Sequence, residues 1–171
     1  MAISPRLIKR RIRSINNTRK ITRAMELVAA AKMRKAVQMA TSSRDYSRAA
    51  EQIVQDVRSR IGVSTHPLLS APKQAKNSLV IVVGSNRGLC GGFNTQVLKK
   101  TLEFIRARTE SNLRIVTIGR RTEIAMKRSG FPIDAAFESM ADAPHFDKTR
   151  PISLLAYKEF SEGRVDRVFL A

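Results

Sequence analysis

The residues best suited to chemistry stand together in one stretch, Gly84-Ser85-Asn86-Arg87-Gly88-Leu89-Cys90-Gly91-Gly92-Phe93-Asn94, directly after a short β-branched run. A Gly-rich turn between a strand and a helix can cradle a phosphate with its backbone N–H groups. The spacing here is neither G-x-G-x-x-G nor G-x-x-x-x-G-K-[ST], and no lysine follows Gly92. Only Glu103 stands where a ribose-binding acid would be sought. Spacing therefore favours a tight structural turn, or a surface loop that meets another subunit, over a nucleotide site. Cys90 could serve as a nucleophile beside the positive charge of Arg87, but no histidine is near it in sequence. His66 and His145 are isolated, and Asp142 and Asp147 form no spacing that suggests a metal site. Catalysis, a bound cofactor and a metal are not expected.

The element that precedes this loop carries most of the charge. The chain has 171 residues with 32 Lys+Arg against 14 Asp+Glu, a formal net charge of +18. Residues 1–74 hold 16 basic and 4 acidic side chains, and the first 35 residues hold 11 basic ones and a single acid, Glu26. From Arg6 to Ile61 there is no Gly and no Pro, and Ala, Arg, Lys, Met, Gln and Leu dominate, which predicts one long helix. Ser4 suits its N-cap, Pro5 its first position and Gly62 its end. Apolar residues step by three and four in three series: Ile8, Ile12 and Ile15; Ile21, Met25, Val28 or Ala29, Met33, Ala36 or Val37 and Ala40; then Ala50, Ile53 or Val54, Val57 and Ile61. This is a coiled-coil-like seam, interrupted at Arg19 and Thr22, with no second helix of comparable length in the chain to fill it. Three partners fit a basic helix: nucleic acid, a membrane surface, or an acidic protein sleeve. The first 45 residues lack any aromatic side chain for stacking on bases, and Ile, Met and Ala stand where a membrane helix would carry Trp or Phe. Composition leaves the three open.

Beyond residue 77 the texture changes to strands alternating with helices. Ser78–Val83, Leu113–Ile118, 133–137 and 167–171 read as strands, and 95–109, Arg121–Ser129 and Pro151–Ser161 as helices, the second ended by Gly130. Such alternation predicts an α/β fold, a Rossmann-like domain with a mostly parallel sheet. The expected organisation is a long basic helix over 1–62, a linker over 63–77 and the α/β domain over 78–171. A chain ending in an apolar strand suggests that the domain continues past residue 171. One cysteine excludes an internal disulfide framework and fits a reducing compartment. The apolar run Leu79–Val83 is too short to span a bilayer, and the Met-Ala-Ile-Ser-Pro start lacks a secretory signal's layout.

Two segments carry a family resemblance. Thr18 to Ala36, reading TRKITRAMELVAAAKMRKA, and Ser85 to Asn94, reading SNRGLCGGFN, closely resemble the two signature regions of the gamma subunit of F-type ATP synthase, in the same order and at a matching separation. The resemblance is specific in those segments and general beyond Thr95. It implies a central-stalk rotor subunit, non-catalytic itself, that couples proton flow through the membrane c-ring to ATP synthesis at the beta subunits. Its long helix would pair with a second, C-terminal helix absent from this sequence, inside a sleeve of alpha and beta subunits. The α/β domain would sit beside epsilon and the c-ring of Fo, and no nucleic acid would be bound.

By the same resemblance, Met25 faces an acidic lever segment of beta, with Arg23 and Lys20 nearby, and Lys9, Arg10 and Arg11 face the sleeve lining. Arg87, Gly88, Leu89, Cys90, Gly91 and Gly92 form the family loop, which would bind no nucleotide. Two positions depart from the family pattern: Asn86 stands where Asp is common and Arg23 where Lys is frequent. The cysteine-bearing regulatory insert of chloroplast versions is missing, so no redox switching is expected. The lack of a presequence implies a bacterial subunit, peripheral at the cytoplasmic face of the inner membrane. The alternative reading remains a basic nucleic-acid-binding protein with a coiled-coil arm, or a nucleotide-binding α/β domain.

Overall fold

The computed structural model describes residues 4–60, 66, 68, 75–108, 112–138 and 146–171. The chain divides into two compact units, Met1–Arg60 and Ile61–Ala171.

The first unit is one helix, α1, Pro5–Arg60, 56 residues long. Pro5 fits its first position because its missing N–H would have had no intrahelical partner. The Ser4 carbonyl accepts from Leu7 N at 2.9 Å and from Ile8 N at 3.3 Å, which starts the hydrogen-bond ladder. Arg58 and Arg60 in the last turn oppose the negative end of the helix dipole. Ile61 and Gly62, expected to close this helix, lie outside the described residues, as does most of the 63–77 linker. No residue of α1 is buried. At about 1.5 Å per residue the helix exceeds 80 Å, roughly five times the mean helix length.

The second unit is built on a four-stranded parallel sheet. Its strands are β1 (Asn77–Val83), β2 (Asn112–Ile118), β3 (Ala135–Phe137) and β4 (Arg167–Leu170), in spatial order β3-β2-β1-β4. Strand β1 pairs with β2 from Asn77↔Asn112 to Val83↔Ile118 and with β4 from Ser78↔Arg167 to Ile81↔Leu170. Strand β3 joins β2 from Val116↔Ala135 to Ile118↔Phe137. The connecting helices are α2 (Phe93–Arg106), α3 (Arg120–Arg128) and α4 (Phe146–Ser161).

Both faces of the sheet are covered, which is why Leu79–Val83 is apolar without alternation. On one face Leu79, Ile81, Val116 and Ile118 pack with Ile152, Leu155, Ala156 and Phe160 of α4. On the other, Val80, Val82 and Ile115 pack with Met126 of α3 and with Val97, Leu98, Phe104 and Ile105 of α2. Phe104 meets Phe169 of β4 edge-to-face at 5.0 Å, and the Arg108 guanidinium lies 4.0 Å from the Phe169 ring centre. The chain thus steps β1–β2–β3 with helices on one face, then crosses to α4 and returns to the opposite side of β1. The order reverses between β1 and β4, and in open α/β sheets the ligand crevice lies outside the strand ends at such a reversal.

Several element boundaries differ from the sequence expectation; β2 opens one residue early at Asn112, α3 is shifted by one to Arg120–Arg128, and β4 stops at Leu170. Asn77, placed in the linker, opens β1, where its N–H donates to Asp166 at 2.8 Å. Helix α2 begins at Phe93, not Thr95, because Gly92 takes the N-cap position, and it ends at Arg106 with Ala107 as C-cap. Ile133 packs into the core but precedes β3, which starts at Ala135 after Asp134 N donates to Ile115 O at 2.9 Å. Helix α4 starts at Phe146, with Pro151 inside it. That proline forfeits one bond in the second turn, while Asp147 in the first turn favours helix at that end.

Candidate functional site

The Gly-rich loop leaves the C-terminal end of β1, beside the reversal, where the ordinary α/β crevice would open. Its conformation rests on three side chains. Asn94, near the start of α2, accepts from Ser85 N at 3.1 Å, donates through Nδ2 to Ser85 Oγ at 2.8 Å and reaches Cys90 Sγ at 3.0 Å. Ser85 Oγ in turn donates to the Arg87 carbonyl at 2.6 Å. Asn86 spans a wider gap: its Oδ1 accepts from Arg120 N at 3.1 Å, and its Nδ2 donates to the Glu138 carbonyl beyond β3. One amide therefore ties the end of β1 to the start of α3 and the exit of β3. Asparagine, unlike the aspartate common at this position in the family the sequence resembles, serves both ends, because a carboxylate has no N–H for Glu138.

Close backbone approach explains two glycines. A Cβ on Gly119, whose φ is +101°, would stand 2.5 Å from the Gly84 carbonyl oxygen. A Cβ on Gly84 would stand 1.7 Å from Thr122 Oγ1 and 3.2 Å from Asn94 Oδ1. Thr122 and Asn94 thus pack directly against the backbone at the start of the loop. Leu89 (φ +66°) and Gly91 (φ +59°) take left-handed conformations that turn the loop outward, and Leu89 is 92% exposed. Arg87, Gly88, Leu89, Cys90, Gly91 and Gly92 are all exposed. Arg121 donates its N–H to Ser85 O at 3.0 Å and sets its guanidinium against Gly88. Among the described residues no group of three His, Cys, Asp or Glu could hold a metal ion. His66 Nδ1 accepts from Leu68 N at 3.2 Å, while His145 and Asp142 lie outside the described residues.

On α1 the proposed contact residues Lys9, Arg10, Arg11, Lys20, Arg23 and Met25 are all exposed. Lys9, Arg10 and Arg11 are consecutive, so they fan out at about 100° steps: Lys9 and Arg11 flank the Ile8–Ile12–Ile15 series and Arg10 lies on the opposite face. Lys20 and Arg23 share one face with Asn16 and Arg19, where the four line a shallow recess. Arg23 pairs with Glu26 at 2.9 Å. Met25 belongs to the apolar seam, at roughly 160° around the helix from Arg23. The helix therefore places Met25 and the Lys20–Arg23 pair on different faces.

Sequence reasoning did not single out a second polar cluster, at the opposite end of the sheet. Glu159 of α4 accepts from both Arg114 of β2 and Arg164 of the following turn, and Arg114 also bridges to Asp134. The Arg164 hydrogen bond, followed by Arg114, holds the Glu159 carboxyl below the usual carboxylate range against the opposing effect of burial. Asp166 accepts from the N–H groups of Lys76 and Asn77, both at 2.8 Å, and its carboxyl is likewise lowered by those bonds. Apart from Glu159 and Arg164, five residues apart, these partners lie 20 to 90 positions apart in sequence, so no local spacing could announce them.

A 56-residue helix with no buried residue and a long exposed apolar seam is the build of an assembly subunit. The chain belongs to the ATP synthase family, whose model matches residues 4–171. Its similar relatives are gamma chains: those of Xanthomonas campestris pv. campestris and Pelotomaculum thermopropionicum are each 34% identical over 167 residues. These alignments cover 96% and 98% of this chain and 58% of each relative, so the chain spans a little over half their length. The fold also matches the central stalk and c-ring structure of Tetrahymena thermophila mitochondrial ATP synthase, with a TM-score of 0.65 at 18% identity, over 88% of this chain and 63% of that one. The rotor of the Euglena gracilis mitochondrial enzyme matches with a TM-score of 0.51 at 17% identity, over 90% of this chain and 52% of that one. Among the described residues no helix is long and apolar enough to cross a membrane.

Proposed function

We propose that the chain acts as the rotor shaft of an F-type ATP synthase, coupling proton flow through the c-ring of Fo to ATP synthesis at the beta subunits. The observation that carries this reading is the seam of α1: Ile8, Ile12, Ile21, Met25, Val28, Met33, Val54 and Val57 are each between 41% and 69% exposed on a helix that its family membership assigns to a gamma chain. Exposed apolar surface of that extent calls for a partner helix. In this reading α1 is the shaft helix, and the α/β unit that opens with β1 is the foot that meets epsilon and the c-ring. The basic residues Lys9, Arg10, Arg11, Lys20 and Arg23 face the acidic or polar lining of the alpha–beta sleeve, and Met25 faces the lever segment of beta. Weak, redistributable contacts suit a turning shaft, because one deep ion-paired state would stall it. The loop from Arg87 to Gly92 presents a contact surface and takes no nucleotide. The chain itself performs no catalysis and sits peripherally at the cytoplasmic face of a bacterial inner membrane through the complex.

Co-expression with alpha and beta subunits tests this. Stable co-purification, with no nucleotide retained by the isolated chain in a titration with labelled ATP, is the expected result. A chain that ignores alpha and beta yet binds DNA or RNA with a steep salt dependence would overturn it.

A further inference from the structure

We infer that α1 is two stiff arms joined by a soft segment at Thr41–Ser47, a bending point built into the helix. Four hydroxyls in those seven residues turn back on the helix's own carbonyls: Thr41 to Val37 O at 2.8 Å, Ser42 to Met39 O at 3.0 Å, Ser43 to Ala40 O at 3.2 Å and Ser47 to Ser43 O at 3.0 Å. Such bonds compete with the backbone ladder and bend helices. Thr, Ser, Asp and Tyr are also weaker helix formers than the Ala, Met, Lys and Arg that fill residues 29–36.

The seam weakens at the same place. Continued in steps of three and four, it runs Ala36, Ala40, Ser43, Ser47, Ala50, Val54 and Val57, so two successive seam positions are serines that spend their hydroxyls on their own helix. Tyr46, the one aromatic side chain in the segment, is 79% exposed. Hydroxyl back-bonding also occurs at Thr18, Thr22 and Ser59, and the seam is broken at Arg19 and Thr22, but Ile21 and Met25 resume it there, whereas no Ile, Leu, Met or Val stands between Met39 and Ile53. Intrinsic stiffness and support from a partner helix therefore reach their minimum together only at Thr41–Ser47. This follows from α1 itself and does not depend on the rotor reading.

The test uses the full chain with Cys90→Ser and pairs of spin labels 17 residues apart, roughly 26 Å along a straight helix. Gln38→Cys with Gln55→Cys straddles the segment, and Asn17→Cys with Arg34→Cys does not. The straddling pair is expected to give a distance distribution at least about one and a half times as broad. Replacing Thr41, Ser42, Ser43 and Ser47 by Ala should narrow it to the control width and raise amide protection across the segment at least about tenfold, since alanine favours helix. Equal widths for the two pairs, or a broad distribution that survives the alanine replacement, would overturn the inference.

Discussion

Gly84 offers a direct test of how the loop is held. Its φ is not in the left-handed region, so an alanine there meets only a steric problem. The new Cβ would stand 1.7 Å from Thr122 Oγ1, whereas ordinary contact needs at least 3.4 Å, so either the Thr122 hydroxyl must move by well over an ångström or α3 must shift. Thr122 is 5% exposed and sits in the first turn of α3, which leaves its side chain little room to turn away. Overpacking of this kind costs about 3 kcal/mol. Thr122→Ala alone should cost about 1 kcal/mol, the loss of a well-packed hydroxyl and methyl. The double variant should be more stable than Gly84→Ala alone, because the clashing oxygen is gone. Its residual cost of about 1.5 kcal/mol reflects the Thr122 Cβ at 3.1 Å and Asn94 Oδ1 at 3.2 Å, which remain tight against the new methyl. The predicted coupling is thus about 2.5 kcal/mol, far above the few tenths expected of independent sites. Urea unfolding followed by the methyl signals of Val80 and Val82 isolates the α/β unit from α1, and the single Gly84→Ala midpoint should fall by about 2 M. Additive effects within about 0.5 kcal/mol would show that Thr122 does not fill the space beneath the loop.

Three further outcomes are expected. Glu159→Gln removes the carboxylate shared by Arg114 and Arg164; because both arginines are more than a third exposed, the cost near neutral pH is about 1 kcal/mol. The Glu159 carboxyl is lowered in the folded chain, so its contribution is complete above the ordinary carboxylate pKa and is lost as the pH falls through the folded value; urea midpoints across the acid range should lose that slope in the variant. Thr117→Val replaces a fully buried hydroxyl that has no partner among the described residues, and thermal unfolding should show a gain of about 1 kcal/mol. Met25→Lys puts a charge into the apolar seam, and if the chain acts as the proposed rotor shaft it should lower the protons pumped per ATP hydrolysed by the assembled enzyme; an unchanged ratio would count against the proposed role of that face.

The long helix could be read from the chain alone. Its hydrogen bonds join residues four apart, its formers are consecutive and uninterrupted by Gly or Pro, and its apolar steps follow the helical period, so every determinant is local. The same locality made the strand β1 and the turn after it visible, along with the family resemblance of the loop. The element ends were less visible, because capping geometry decides them: Gly92 starts α2 early, and α4 runs through Pro151 at the loss of a single bond.

Amino-acid order by itself thus determined that this protein has an exposed basic helix with an unfilled seam, followed by alternating strands and helices. Tertiary structure alone decided the strand order β3-β2-β1-β4, the assignment of α2 and α3 to one face and α4 to the other, and the setting of each polar side chain. It placed Thr122 under Gly84, gave both ends of the Asn86 amide a partner, and gathered Arg114, Asp134, Glu159 and Arg164 into one network. The reason is physical. A helix closes its bonds within a turn, whereas a parallel sheet must bring together segments tens of residues apart, and only the packing that results determines which side chains meet.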